Sequence, residues 1–156
     1  MQKLVIANRG SKEQGKTSSI REVFNILAAK YPANVYIDYG DIMATIKIGD
    51  VLVGLESQGD PGSRIFDSLE KFVELGCDVI VCACRSYGDT TDAVYGLANN
   101  GYQVIFAQND KSDDEAMQVV LNKKYATRVV DMIEERISGD FLSRRVVKCD
   151  AKQNDH

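Results

Sequence analysis

The amino-acid sequence predicts an α/β domain of three layers, in which a mostly parallel sheet with one hairpin carries helices on both faces. Short apolar runs alternate with segments whose apolar residues recur at helical spacing, the pattern of βα units. Several runs, residues 78–84 (DVIVCAC) most clearly, are apolar at nearly every position, as expected for strands covered on both faces. The 156 residues suit one domain, which we place at 1–148, before a polar tail at 149–156.

The first half of the chain predicts strands with one intervening helix. Apolar residues recur three and four positions apart after Thr17, and Pro32 closes the helix that they mark. The pair Gly49-Asp50 between two strand-like runs indicates a tight hairpin, and Gly40-Asp41 is expected to begin a loop. We predict strands at residues 3–8, 35–39, 45–48 and 51–56, and a helix at 17–30.

Turn-forming residues separate the elements of the second half. Residues 58–63 (QGDPGS) are the densest turn cluster of the chain, and Gly76 ends the helix that follows. Ser112 with Glu115 forms a capping box before a long amphipathic helix, which Gly139 is expected to interrupt. We predict strands at 78–84 and 102–107, helices at 65–75, at 90–99 with a cap at Asn100-Gly101, and after Ser112, and a frayed tail from Cys149.

Charge and composition exclude several classes of protein. A formal net charge of −4 argues against broad binding of nucleic acids or anionic membranes, which needs an excess of Lys and Arg. No apolar run approaches the roughly 18 residues that span a bilayer, and the N-terminus lacks signal-peptide features. The chain is therefore expected to be cytoplasmic. Zinc is not expected, because the candidate ligands Cys77, Cys82, Cys84, Cys149 and His156 lack the spacing of a zinc site.

One segment carries a specific motif. Residues Gly10-Ser11-Lys12-Glu13-Gln14-Gly15-Lys16-Thr17 match G-x-x-x-x-G-K-[ST], directly after a predicted buried strand and at the start of a predicted helix. Backbone N–H groups of a glycine-rich loop can converge on phosphate oxygens, because no side chains intrude there, and the helix N-terminus adds partial positive charge. Lys16 is expected to reach the β- and γ-phosphates of a nucleoside triphosphate, and the Thr17 hydroxyl to ligate Mg²⁺.

The chain resembles the P-loop NTPase superfamily, specifically at Gly10, Gly15, Lys16 and Thr17 and in outline over the whole α/β domain. The resemblance implies that residues 10–18, which end at Ser18, bind the nucleotide. It also implies that an acidic residue at the end of a second buried strand serves Mg²⁺.

Two acids are candidates for that magnesium role. Glu56 ends the apolar run 51–56, although the family usually has Asp there, and Asp60 is the alternative. The string Glu56-Ser57-Gln58-Gly59 is similar to the D-x-x-G of GTPases. In that interpretation the Gly59 N–H senses the γ-phosphate, and Gln58 or Asp60 orients an attacking water.

Basic residues follow the same strands. Arg64 after the turn cluster and Arg85 after the strand at 78–84 lie where doubly wound sheets place ligand residues. Each is a candidate to stabilise charge on the transferred phosphoryl group, and an exposed arginine that caps the next helix is the alternative for both. Arg9 and Lys12 add positive charge beside and within the loop.

Two further features bear on the substrates. Asp38 and Asp41 follow the second strand, where similar kinases bind the acceptor and similar GTPases coordinate magnesium through a switch. Guanine-specific relatives carry N-K-x-D after the strand predicted here at 102–107, whereas this chain has Gln108-Asn109-Asp110-Lys111, similar residues in another order. ATP is therefore the expected nucleotide.

Three functions agree with these observations. The first is Mg²⁺-dependent binding and hydrolysis of ATP, with residues 57–64 as a γ-phosphate-dependent switch. The second is a small-molecule or nucleotide kinase, in which residues 38–45 and Arg85 hold the acceptor, although the arginine-rich lid of such kinases is not seen between residues 85 and 111. The third is a regulatory module that binds nucleotide without turnover. The acceptor, any protein partner and the oligomeric state stay open.

Overall fold

A computed structural model describes the backbone of residues 1–10 and 16–154 and the side chains of residues 1–10 and 16–139. Strands and helices alternate over most of this length, as the apolar pattern predicts. The strands are β1 (Lys3–Arg9), β2 (Ala33–Tyr39), β3 (Asp41–Ile48), β4 (Val51–Glu56), β5 (Val79–Cys84) and β6 (Tyr102–Phe106). The helices are α1 (Lys16–Ala28), α2 (Ile65–Glu74), α3 (Asp89–Gly96) and α4 (Glu115–Asn154).

The six strands form one mixed sheet in the order β2-β3-β4-β5-β1-β6. Strands β4, β5, β1 and β6 are parallel, whereas β2 pairs with β3, and β3 with β4, in antiparallel fashion. The prediction of a mostly parallel sheet therefore describes one side of the sheet only. The reason is local: the chain reverses at Gly40 and Gly49, which both have positive φ, and tight turns join antiparallel strands. The hairpin at Gly49 is confirmed, and Gly40-Asp41 forms a second reversal in place of the expected loop.

Buried side chains pack on both faces of the sheet. On β1, Leu4 and Ile6 belong to one apolar cluster and Val5 and Ala7 to another, because successive side chains of a strand point to opposite faces. The first cluster includes residues of α1 and α4, and the second includes residues of α2 and α3. The helices therefore cover the sheet from both sides around its central strands.

Three helix ends differ from the prediction or refine it. Asp114, whose Oδ1 accepts a hydrogen bond from Met117 N (3.1 Å), caps α4 in place of Ser112. Gly139 does not interrupt α4, since one glycine costs a helix only about 1 kcal/mol, and the helix continues to Asn154 through most of the predicted tail. The predicted third helix is an α-helix followed by a 3₁₀ turn at Leu97–Asn100, closed by Gly101 as expected.

Although α4 has 40 residues, neither it nor another described helix has an apolar stretch that could cross a membrane.

Strand β2 is exposed along its whole length at the edge of the sheet. Its apolar side chains Val35, Tyr36, Ile37 and Tyr39 all contact solvent, and Tyr39 is 92% exposed. A bulge between Val35 and Ile37 shifts the register against β3. Such an irregularity disfavours continuous pairing of a further strand along the edge.

Candidate functional site

Several buried polar residues lie at the carboxyl ends of β1 and β4, among them Asn8, Glu56 and Ser57. Gly10 N donates to Cys84 O (3.1 Å), so the residue directly after β1 is fixed to the end of β5. From β1 the chain continues through α1 toward β2, whereas from β5 it continues through α3 to β6 on the other side of β1. Open α/β sheets form a ligand crevice at such a divergence of neighbouring strands. The described motif residues Gly10, Lys16 and Thr17 thus lie beside a crevice between β1 and β5.

Lys16, the first residue of α1, reaches into this crevice. Its Nζ donates hydrogen bonds to Gly10 O (2.8 Å) and Cys84 O (3.1 Å), the carbonyl groups at the ends of the two strands. The residue is only 6% exposed. Burial, and after it the nearby Arg85 guanidinium, lowers the pKa of Lys16 below its ordinary value of 10.5, against an opposing effect of Asp60. The site therefore holds a buried ammonium group whose hydrogen bonds go to neutral carbonyl oxygens.

Thr17, Asp41 and Ser57 form a cluster of oxygen atoms next to Lys16. The Thr17 and Ser57 hydroxyls each donate to Asp41 Oδ1, both at 2.9 Å, and Ile42 N fixes Ser57 Oγ at 2.8 Å. The turn at Gly40 brings Asp41 to this point. Within residues 1–10 and 16–139, no three side chains of His, Cys, Asp or Glu come together as a metal cluster. Asp41 is thus the carboxylate that faces the predicted magnesium ligand Thr17.

Glu56 has an environment different from the predicted one. It is fully buried, and its carboxylate accepts two hydrogen bonds from Arg64 (Nε to Oε1 2.7 Å, Nη2 to Oε2 3.1 Å). The Ser68 hydroxyl (2.6 Å) and Gln58 N (3.2 Å) complete the shell. Glu56 does not line the cavity beside Thr17. The physical reason is the strand order, because β5 lies between β4 and β1 and places Glu56 about 10 Å from the motif strand.

Arg85, which follows β5, forms an ion pair with Asp60 in the loop between β4 and α2. Arg85 Nε lies 2.9 Å from Asp60 Oδ1, but this buried nitrogen makes no directional hydrogen bond within the described part of the chain. The backbone of Arg85 is fixed firmly, since its N donates to Thr90 Oγ1 (3.0 Å) and its O accepts from Thr91 Oγ1 (2.6 Å). The guanidinium is therefore well positioned but incompletely bonded.

The loop between β4 and α2 forms one wall of a cavity of about 150 Å³. Gly59 packs so closely on β5 that a Cβ atom there would lie 2.5 Å from the Ala83 carbonyl group. Gln58 Oε1 accepts a hydrogen bond from Arg64 N (3.2 Å), which fixes the side chain within the loop. The cavity is lined by Lys16, Thr17, Ser18, Asp41, Ser57, Gln58, Gly59 and Asp60.

The remaining candidates are distributed as follows. Ser11, Lys12, Glu13, Gln14 and Gly15 lie outside the described residues. Arg9 stacks on the Phe106 ring, 4.4 Å from its centroid. Asp38 forms a surface ion pair with Arg21 (2.8 Å) and does not line the cavity. The structure thus brings together Lys16, Thr17, Ser18, Asp41 and Asp60, and places Asp38 elsewhere.

A buried polar network next to β1 was missed from sequence. Asn8 Nδ2 donates to Ser19 Oγ (2.9 Å), and Asn8 Oδ1 accepts from Asn109 N (3.3 Å). The Asn109 side chain is turned inward, toward Asn122 Oδ1 (2.6 Å), rather than outward from the loop after β6. An asparagine at the end of an otherwise apolar strand is the signal that could have revealed this network. It fixes the segment after β6 to the strand and helix that flank the motif.

Comparison of the chain with protein-family models, with curated proteins and with solved structures found no match. The chemistry of the site therefore follows from its own side chains. A buried ammonium group and a carboxylate with two hydroxyls line one cavity, and the Arg85 guanidinium lies beside it, against Asp60. Such a set of groups suits a multiply charged anion that binds together with a divalent cation.

Proposed function

We propose that this protein is a cytoplasmic P-loop nucleoside triphosphatase of three-layer α/β architecture, which binds ATP with Mg²⁺ and hydrolyses it. The observation that carries the proposal is the position of Lys16, buried at the first turn of α1 with its Nζ between the ends of β1 and β5. The G-x-x-x-x-G-K-[ST] motif requires a lysine in this place. Motif and geometry therefore support the same ligand.

The electrostatics of Lys16 favour an anionic ligand. A buried ammonium group with a nearby guanidinium is disfavoured in its charged form, as the lowered pKa of Lys16 indicates. A terminal phosphate between the two cations would compensate both charges in a partly water-excluded place. The free energy gained there is specific to an anion, so neutral ligands of similar size should bind poorly.

The oxygen cluster fits a magnesium ion. Asp41, Thr17 and Ser57 offer a carboxylate and two hydroxyls at one point, and Mg²⁺ prefers hard oxygen ligands together with phosphate oxygens. We therefore assign the acidic magnesium ligand to Asp41 rather than to Glu56. When bound, the ion would neutralise charge on the β- and γ-phosphates.

Hydrolysis would use the loop that follows β4. Asp60 and Gln58 line the cavity, where they could orient a water toward the terminal phosphorus. The water oxygen bonds to that phosphorus as the bond to the bridging oxygen breaks, ADP leaves, and a water proton passes to the Asp60 carboxylate or the released phosphate. Arg85, drawn from Asp60, would stabilise the developing charge.

Calorimetry tests this proposal. We expect Mg·ATP to bind the full chain, and Lys16→Ala to weaken binding by about 10- to 100-fold, because one charge-assisted hydrogen bond is lost. Lys30→Ala is the matched control, since Lys30 pairs with Glu134 (3.2 Å) at the surface and its loss should leave affinity unchanged.

Two results would decide against the proposal or narrow it. If the chain shows no heat of binding with Mg·ATP, Mg·GTP, Mg·CTP or Mg·UTP, the nucleotide site is refuted. Phosphate release from ATP separates hydrolysis from binding alone. Tight binding of ATP without phosphate release would contradict hydrolysis and favour a regulatory module that binds nucleotide without turnover.

A further inference from the structure

A second cavity adjoins the first on the far side of the Asp60–Arg85 pair. Its volume is about 420 Å³, and Pro61, Arg85, Ser86 and Tyr87 line it. Asp60 lines the first cavity and Pro61 the second, so the ion pair stands between the two. A ligand in the second cavity would therefore lie next to the place assigned to the terminal phosphate.

Arg85 has bonding capacity that its present partner does not use. Its side chain is 31% exposed, and its Nε is buried without a directional hydrogen bond in the described part of the chain. A guanidinium presents a planar fork of donors that matches two oxygens of a carboxylate or phosphate. Arg64 binds Glu56 in this way, with two donors of its guanidinium on the two oxygens of the carboxylate. Arg85 has the rigid backbone that such recognition needs, through Thr90 and Thr91, but its Nε has no hydrogen-bond partner among the described residues.

The other walls of the cavity are suited to an organic body. Tyr87 is 85% exposed and lines the cavity together with Pro61. Rings at a concave, partly polar site contribute contact area to small ligands, while one charged group fixes orientation. The cavity thus combines one oxyanion-binding fork with an aromatic surface.

We propose that the second cavity binds a small molecule that carries a carboxylate or a phosphate monoester, with its oxyanion on Arg85 and its ring or chain against Tyr87. The proposal rests on the proposed function, because the site is defined by its position next to the nucleotide. Binding separates Arg85 from Asp60. It also gives the kinase alternative a specific location, the place in which a phosphoryl acceptor would lie.

The experiment uses the full chain saturated with Mg·ADP, to which phenyl phosphate and benzoate are added separately in a calorimeter. The two probes share the ring and differ in the oxyanion, so they distinguish a phosphate ligand from a carboxylate ligand. Each variant is first titrated with Mg·ADP to reach saturation. We expect at least one probe to bind in the millimolar range, Arg85→Gln to weaken it about 10-fold or more, and Tyr87→Ala to weaken it several-fold. Arg85→Lys, which retains charge without the fork, should also weaken it.

Tyr39→Ala is the matched control, because Tyr39 is as exposed as Tyr87 but lies on β2. Probe affinity should not change in this variant. Absence of probe binding at about 10 mM, or binding that survives either Arg85→Gln or Tyr87→Ala, overturns the second site and leaves the nucleotide proposal intact. Failure of Mg·ADP itself to bind refutes both proposals, so the two failures are distinguishable.

Discussion

Two arginine–carboxylate pairs hold the loop between β4 and α2, one across its two ends and one at its middle, and they are built differently. Arg64 contacts Glu56 through two hydrogen bonds, and Ser68 and a backbone amide satisfy the rest of the buried carboxylate. Arg85 Nε lies 2.9 Å from Asp60 Oδ1 but does not form a directional hydrogen bond with it, and both side chains are partly exposed. The difference indicates that the first pair fixes the loop, whereas the second can exchange its partner.

The largest effect should come from breaking the buried pair. Arg64→Ala leaves Glu56 without its counter-charge, and we expect it to lower the free energy of unfolding by about 3–5 kcal/mol, and the melting temperature by on the order of 10 °C. Arg85→Ala, the matched variant, should cost less than about 1 kcal/mol. Urea unfolding of both variants measures the contrast. Equal losses would contradict the distinction between the pairs.

The magnesium role gives the next effect. Asp41→Asn should raise the Mg²⁺ concentration needed for half-maximal ATP turnover by about 10- to 100-fold, because the carboxylate that faces Thr17 loses its charge. Glu56→Gln should change this concentration little and lower stability instead, since its hydrogen bonds go to Arg64 and Ser68. Magnesium titrations of both variants, with thermal melts, separate the roles. The reverse pattern would return the magnesium role to Glu56.

Protonation of Lys16 tests the cation pair in the crevice. Because burial and Arg85 lower its pKa in the fold, the unfolded chain binds more protons between that lowered value and 10.5, and stability contributed by Lys16 rises with pH over this interval. A bound triphosphate should raise the pKa again, so binding in this interval takes up a fraction of a proton. Calorimetry at alkaline pH in two buffers of different ionisation enthalpy measures it. Uptake should fall in Arg85→Gln, and equal heats in both buffers would contradict the predicted uptake.

The smallest expected effect on stability concerns two buried tyrosine hydroxyls, one with a hydrogen-bond partner and one without in the described part of the chain. The Tyr102 hydroxyl donates to Cys77 O (2.5 Å), whereas the buried Tyr125 hydroxyl has no partner among the described residues. Tyr102→Phe should therefore cost about 1 kcal/mol, and Tyr125→Phe should leave stability unchanged or raise it slightly. Thermal melts of the two single variants provide the measurement. A larger loss in Tyr125→Phe would indicate an internal water that bonds to its hydroxyl.

The sequence predicted the parts of the site that depend on local order. Lys16 and Thr17 follow from a motif with fixed spacing, and Gly49 marks its hairpin through backbone conformation. The distance of Glu56 from the motif strand could not be predicted in this way, because it depends on β5 lying between β4 and β1. Asp41 was a candidate of equal standing with Asp38 until the turn at Gly40 placed only one of them beside Thr17. Strand order and turn geometry, which spacing does not encode, decide between such residues.

Gly59 has a consequence for how the cavity can vary. The missing side chain lets the loop touch the backbone of β5, and any Cβ atom would have to push these two segments apart. The distance between the loop and β5 at this point thus depends on the lack of a Cβ atom at Gly59. Glycine is therefore the residue that position 59 accepts without displacement of the loop or of β5.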